Sequence, residues 1–136
     1  MTFLLDTNAV IALLNNRPIG VRNRLRDAVA RGDRIAVSSV VLYELWYGVA
    51  RSSRRRENTE RLRVFLAGDI HVLPFGENES EAAGELRATL EAAGTPIAPY
   101  DVLIAAQALN CGATVITANV SEFGRVPGLS WEDWTV

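Results

Sequence analysis

Apolar positions in this chain come in two rhythms. Short continuous runs, the mark of strands buried on both faces, alternate with longer stretches whose apolar residues recur every three or four positions. Thr2 to Leu5 predicts the first strand, and a short helix from about Ala9 to Asn15 follows, stopped near Arg17-Pro18. A second helix is predicted over Gly20 to Arg31, ending at Gly32-Asp33, and Arg34 to Val37 predicts a second strand. Ser38 or Ser39 is placed to cap a helix running through Val49, which carries Glu44 about one and a half turns in. Arg54 to Ala67 is amphipathic, with Leu62, Phe65 and Leu66 on one face, and Ile70 to Leu73 supplies a strand closed by Pro74.

Residues 78 to 93 set Ala82, Leu86, Leu90 and Ala93 at helical spacing, and Gly94-Thr95-Pro96 ends that helix. The next helix begins near Pro99 or Tyr100 and runs to Asn110, apolar almost all round and so expected to be buried. Ala113 to Thr117 predicts a buried strand, and a last short strand containing Trp131 and Trp134 follows the turn at Val126-Pro127-Gly128. Strands separated by helices imply an α/β sandwich with a mainly parallel sheet, and 136 residues suit a single domain, 1-136.

Composition narrows the chemistry. With 49% hydrophobic and 22% charged residues, the chain is that of a globular protein. Its one cysteine, Cys111, has no partner for an internal bridge, and no basic leader precedes the first strand, so a cytoplasmic location is expected. Neither apolar stretch suits a membrane span: one carries Glu44, the other is broken by Pro99, Asp101, Asn110 and Gly112. The net charge of -2 gives no global attraction to nucleic acid, so any such contact must use local patches. All 14 basic residues are arginine, which excludes P-loop, Schiff-base and receiver-type chemistries that depend on lysine.

In a parallel α/β sheet, ligands gather beyond the carboxyl ends of the strands. Asp6 ends the first strand, Asp101 lies in the first turn of the buried helix, and Asn119 and Glu122 follow the strand ATVIT, while Glu44 sits on a helix that also starts from a strand's carboxyl end. Pairs of carboxylates about 4 Å apart at an effective dielectric near 20 repel by roughly 4 kcal/mol, so such a cluster holds protons or a cation. Singly, each acid has an ordinary explanation as a cap, a turn residue or a solvated charge. Glu44 among the apolar residues of VVLYELWYGV and Asp101 at the head of the most apolar helix are harder to dismiss, because a buried acid needs a compensating partner. Hard oxygen donors without His or Cys suit Mg²⁺ or Mn²⁺. His71 lies in a strand remote from these motifs and reads as structural. Trp46, Tyr47, Trp131 and Trp134 read as core or oligomer contacts, not stacking platforms.

In this order and spacing, LLDTN at Leu4 to Asn8, VSSVVLYELWYG around Glu44, VLPF at Val72 to Phe75, PIAPYDVLIAAQAL around Asp101, ATVITANVSEF and the closing VPGLSWEDW are familiar. The chain resembles the PIN-domain family over essentially its whole length, and within it the VapC-type toxins of bacterial toxin-antitoxin pairs, including the FitB-like branch. That resemblance implies a three-layer α/β/α sandwich and an acidic pocket binding Mg²⁺ or Mn²⁺ for endoribonuclease chemistry. It carries metal-site roles onto Asp6, Glu44 and Asp101. Many members have an Asp where this chain has Asn119; Asn119 and Glu122 join the catalytic set, Asn119 able to coordinate or orient a water and Glu122 to complete the charge, with either of them the one that touches the metal. Hydrolysis is expected to leave a 3′ hydroxyl and a 5′ phosphate. The resemblance further implies an RNA substrate, a cognate antitoxin protein covering the acidic cleft, and a homodimer.

Thr7, Asn8 and Thr117 have the chemistry to donate to carboxylate or phosphate oxygens, with Thr7 and Asn8 also expected to cap the first helix. The arginine-rich run offers Arg51, Arg54 and Arg55 as RNA or partner contacts, against the simpler reading of a solvated helix face. Two competing functions remain: a catalytically weak PIN module serving as a binding partner or autoregulator, and a phosphotransferase using Asp6 as nucleophile. The second is disfavoured by the missing lysine and by the lack of an Asp two residues after Asp6.

Overall fold

The computed structural model describes residues 1–136. In chain order the elements are β1 (Thr2–Leu5), α1 (Thr7–Asn15), α2 (Ile19–Ala30), β2 (Arg34–Ser38), α3 (Ser39–Ala50) and α4 (Arg55–Ala67). They continue with β3 (His71–Leu73), α5 (Glu77–Ala92), α6 (Pro99–Cys111), β4 (Thr114–Ile116), α7 (Val120–Phe123) and β5 (Trp131–Glu132). The five strands form one sheet in the order β3-β2-β1-β4-β5, with every pairing parallel.

β1 occupies the middle. Phe3, Leu4 and Leu5 point to alternate faces of the sheet, yet all are buried, so helices cover both faces and the architecture is the expected α/β/α sandwich. The same cluster takes in Ile35 to Val37 from β2, Val115 and Ile116 from β4, and Leu13, Val41, Leu62 and Ile104 from the helices. Its continuity across all three layers is what fixes the register of the central strands.

One sequence expectation about the elements needs correction. β5 is a two-residue strand and does not contain Trp134. Trp134 lies beyond it, 2% exposed, its ring 5.2 Å from that of Phe3 in an edge-on arrangement, while its indole N–H donates to Glu132 Oε1 at 2.9 Å. Its burial therefore comes from packing over the start of β1 and not from a ladder. The single turn α7 has too few residues to show a period and was not anticipated. Of the four aromatics read as core or oligomer contacts, Trp134 is in the core, and Tyr47 and Trp131 are exposed on this chain, at 59% and 37%. No helix is long and apolar enough to cross a membrane.

Candidate active site

The register of the sheet brings distant segments together. Leu5 pairs with Val37 on one side and with Ile116 on the other, so the residues that follow, Asp6, Ser38 and Thr117, stand side by side at the carboxyl edge. The Asp6 N–H donates to the Ile116 carbonyl at 3.1 Å, locking the first of these to the third.

Asp6 is only 5% exposed and has a double role. It is the N-cap of α1, with extended backbone and a side-chain oxygen accepting from the Ala9 N–H at 2.8 Å. The capping expected of Thr7 and Asn8 thus falls to Asp6 itself. Burial pushes its carboxyl above the usual range, against the stabilising bonds from Thr117 and Ala9, and the charges of Glu44 and Asp133 push it the same way as burial. Thr117 is buried, its Oγ1 accepts from the Asn119 N–H at 2.9 Å, and its hydroxyl works against burial in setting the Asp6 carboxyl.

Ser38 caps α3 by accepting from the Val40 N–H at 3.0 Å, which fixes the start of the helix and hence where Glu44 emerges. Thr7 Oγ1 donates to Glu44 Oε1 at 2.8 Å. Asn8, by contrast, is exposed and lines a cavity shared with Thr117, Asp133 and Trp134.

On the other side of Asp6, α6 begins with Pro99 at its first turn and presents the half-buried Asp101. Asn119 Nδ2 donates to Asp101 Oδ2 at 3.1 Å and to Glu122 Oε2 at 3.2 Å. The Asp101 carboxyl is pushed up to about 7, first by burial, then by its bond to Glu122 and the charges of Glu122, Asp6 and Glu44. Glu122 is held below its ordinary value, chiefly by that bond to Asp101, with help from the Ala98 N–H, Asn119 and Arg125. The two carboxyls thus titrate as a coupled pair, with the proton favoured on Asp101 over Glu122. Asn119 and Glu122 both stand beside Asp101, and Asn119 is the tie between the two acids.

Asp133 is the acid that sequence reasoning missed. It directly follows β5, as Asp6 follows β1, so the rule that found Asp6 would have found it had β5 been bounded correctly. Its Oδ1 accepts from the Thr135 N–H at 2.9 Å, and it contributes to the negative field at Asp6.

Asp6, Glu44 and Asp101 therefore converge electrostatically at one edge of the sheet. As the side chains stand, no group of three acids is set to hold a metal ion. The chemistry of the donor set nevertheless fits a hard cation: carboxylate oxygens and the Asn119 amide, raised carboxyls at Asp6 and Asp101, and no His or Cys among them.

The surroundings are mixed. A cavity of about 250 Å³ opens beside Thr7 and Glu44, between α1, α3 and α4, with Ile11, Leu14, Leu45 and Leu62 in its walls and Arg61 at its rim. Tyr43 and Tyr100 flank the acids on the outside, their ring centroids 5.9 Å apart. The Tyr100 phenol is raised by its bond to Tyr43 and, to a smaller degree, by the charge of Glu44. Arg51 closes α3, Arg54 precedes α4 and lies 3.6 Å from Glu57, and Arg55 opens α4; all three are exposed. His71, exposed on β3 at the sheet's edge, has Asp69 at 3.9 Å and stands apart from the acids.

Comparison with known proteins places this architecture. A model of the PIN domain matches residues 3–129. The chain is 38% identical over 134 residues to Ribonuclease VapC2 of Rickettsia felis, with 98% of each chain covered. It is 36% identical over 134 residues to the tRNA(fMet)-specific endonuclease VapC of Salmonella typhimurium, again with 98% of each covered. Among solved structures, it matches that of VapBC2 from Rickettsia felis bound to a DNA fragment from their promoter, with a TM-score of 0.91 and 37% identity over 98% of this chain and 99% of that one. The sheet order, the acids at its carboxyl edge and these full-length likenesses agree: the chain belongs to the PIN domain family, in its VapC group.

Proposed function

We propose that this protein is a divalent-metal-dependent endoribonuclease that acts as the toxin of a toxin-antitoxin pair. The observation that carries the reading is the convergence of Asp6, Glu44, Asp101 and Glu122 at one sheet edge, where burial first and then the neighbouring acids push the Asp101 carboxyl up to about 7. A cation relieves that repulsion, and when bound it stabilises charge on a phosphate and lowers the pKa of a water.

Asp6, Glu44 and Asp101 are the groups to hold it. Thr117 and the Ala9 N–H orient Asp6, Thr7 orients Glu44, and Asn119 orients Asp101. Glu122, kept ionised by its neighbours, is the group able to accept a proton next to that centre. The named activities of the relatives support RNA as substrate. The VapBC assemblies of its structural neighbours support an antitoxin partner. The apolar cavity between α1, α3 and α4, reaching Glu44 with Arg61 at its rim, is suited to receive a segment of that partner.

Purified protein free of antitoxin, incubated with structured RNA, is expected to cleave in Mg²⁺ or Mn²⁺ and to stop in chelator and in the Asp6→Asn and Asp101→Asn variants. Cleavage that persists in chelator or in both variants overturns the metal-dependent reading.

A further inference from the structure

Asp101 reaches the acids from a helix that follows no strand. α6 comes after α5 through residues 95–98, which belong to neither helix nor strand, and no side chain caps its first turn. Pro96 and Pro99 have no backbone N–H, so this entry segment has few bonds of its own to make. Ile97 packs it against the core, a contact without direction.

The directed bonds come from α7. Asn119, Glu122 and Arg125 recur at intervals of three and so face the same way around that single turn. Each grips a successive point of the segment. Arg125 Nη1 donates to the Pro96 carbonyl at 2.7 Å, Glu122 Oε1 accepts from the Ala98 N–H at 3.3 Å, and Asn119 Nδ2 donates to Asp101 Oδ2 at 3.1 Å. The gripping turn is itself fixed, because Phe123 and Val126 are buried in the core. Gly124 lets the chain wind tightly enough to carry Arg125 round: a Cβ there would lie 2.6 Å from the Val120 carbonyl oxygen.

Asn119 and Glu122 also touch Asp101 or one another, whereas the bond to Pro96 is the only directed contact of the Arg125 side chain. A guanidinium on a carbonyl is a charge-assisted bond, stronger than a neutral one and fixed in direction. Resting on the reading of Asp101 as a ligand of the catalytic cation, we propose that Arg125 is a positioning residue, which holds the entry of α6 and through it sets where Asp101 stands among the other acids. It acts two steps away from the chemistry, through Pro96 and the first turn of α6, and touches neither cation nor substrate.

The test compares Arg125→Ala and Arg125→Lys with the parent in three measurements: amide hydrogen exchange in chelator, Mn²⁺ affinity from the electron paramagnetic resonance signal of the free ion, and cleavage of structured RNA in Mg²⁺. Arg125→Ala is expected to exchange about 10-fold faster over residues 98–103 while the amides of α2 keep the parental rate. It should bind Mn²⁺ about 10-fold more weakly and lower kcat more than it raises KM. Arg125→Lys keeps a charged donor for the same carbonyl and should bring Mn²⁺ affinity back to within about threefold of the parent. Parental exchange over residues 98–103 in Arg125→Ala overturns the assignment, and so does faster exchange there in a variant that binds Mn²⁺ as the parent does. Exchange that rises equally in α2, with no recovery in Arg125→Lys, overturns it in favour of a general part in stability. A parent that binds no Mn²⁺ and cleaves no RNA, beside faster exchange confined to the start of α6 in Arg125→Ala, defeats the nuclease reading and leaves the hold of Arg125 on α6 standing.

Discussion

Thr7 donates its hydroxyl to Glu44 at 2.8 Å, joining the first turn of α1 to the second turn of α3. The bond spans two helices that start from neighbouring strands, so it aims an acid that lies a turn and a half beyond its strand end. Removing the hydroxyl while keeping the shape, in Thr7→Val, is expected to leave Glu44 without its donor. RNA cleavage should fall by about 10- to 100-fold and the Mg²⁺ concentration for half-maximal rate should rise. A Mg²⁺ titration of cleavage that matches the parent would show that Glu44 is held some other way.

Asp6 combines a structural and a chemical duty, and two substitutions separate them. Asp6→Asn keeps an oxygen for the Ala9 N–H and removes a charge that burial, Glu44 and Asp133 all oppose. In chelator it should melt above the parent while cleaving RNA at least about 100-fold more slowly. Asp6→Ala loses the cap as well and should be less stable than Asp6→Asn by about 1 kcal/mol. Thermal melts in chelator check both; an Asp6→Asn variant less stable than the parent would remove the case for repulsion at this site.

Asn119 stands where a third negative charge is easily imagined, donating to both Asp101 and Glu122. Asn119→Asp turns two attractions into two repulsions. The expected result is a lower melting temperature in chelator and a larger upward shift of that temperature on adding Mn²⁺ than in the parent. Equal Mn²⁺ shifts in the two proteins would place position 119 outside the reach of the cation.

The raised Asp101 carboxyl makes metal-free stability depend on pH. Between its ordinary value of 3.8 and about 7, the folded protein keeps a proton that the unfolded chain has released. Stability therefore falls as pH rises through that window and levels off above it. Glu122, lowered from 4.5, works in the opposite sense at the bottom of the window, so the net fall belongs to its upper part, above about pH 5. Urea titrations in chelator across this range should show the fall in the parent and lose most of it in Asp101→Asn. A parent that grows more stable from pH 5 to 7 would contradict a raised Asp101 carboxyl.

The legible parts of this molecule are those whose sequence signal is physical and local. β1, β2 and β4 are apolar runs closed by Asp6, Ser38 and Thr117, and their burial on both faces leaves little else for them to be. Asp6, Glu44 and Asp101 could be picked out because each interrupts apolar sequence. What was hidden depends on tertiary placement. Three successive residues, Asp6, Thr7 and Asn8, all have capping chemistry, and only the backbone shows that the helix takes the first. Trp134 looks like strand because it is apolar; Phe3, at the opposite end of the chain, is what buries it. Asp133 and the tie through Asn119 exist only because the register of β1, β4 and β5 brings those chain segments to one edge. Tyr43 and Tyr47 sit in as apolar a stretch as any in the sequence, and their exposure is set by which side of α3 the sheet leaves uncovered.

The placement of β1 between β2 and β4 also bears on synthesis. Phe3 pairs with Ile35 early in the chain but with Thr114 only near its end. Until the ribosome has delivered β4 and α7, Asp6 has neither the Thr117 hydroxyl nor Asp101, Asn119 and Glu122 beside it. On the proposed reading of these acids as the catalytic centre, a nascent chain is inert by construction, and the protein becomes dangerous to its maker only once almost all of it has been translated.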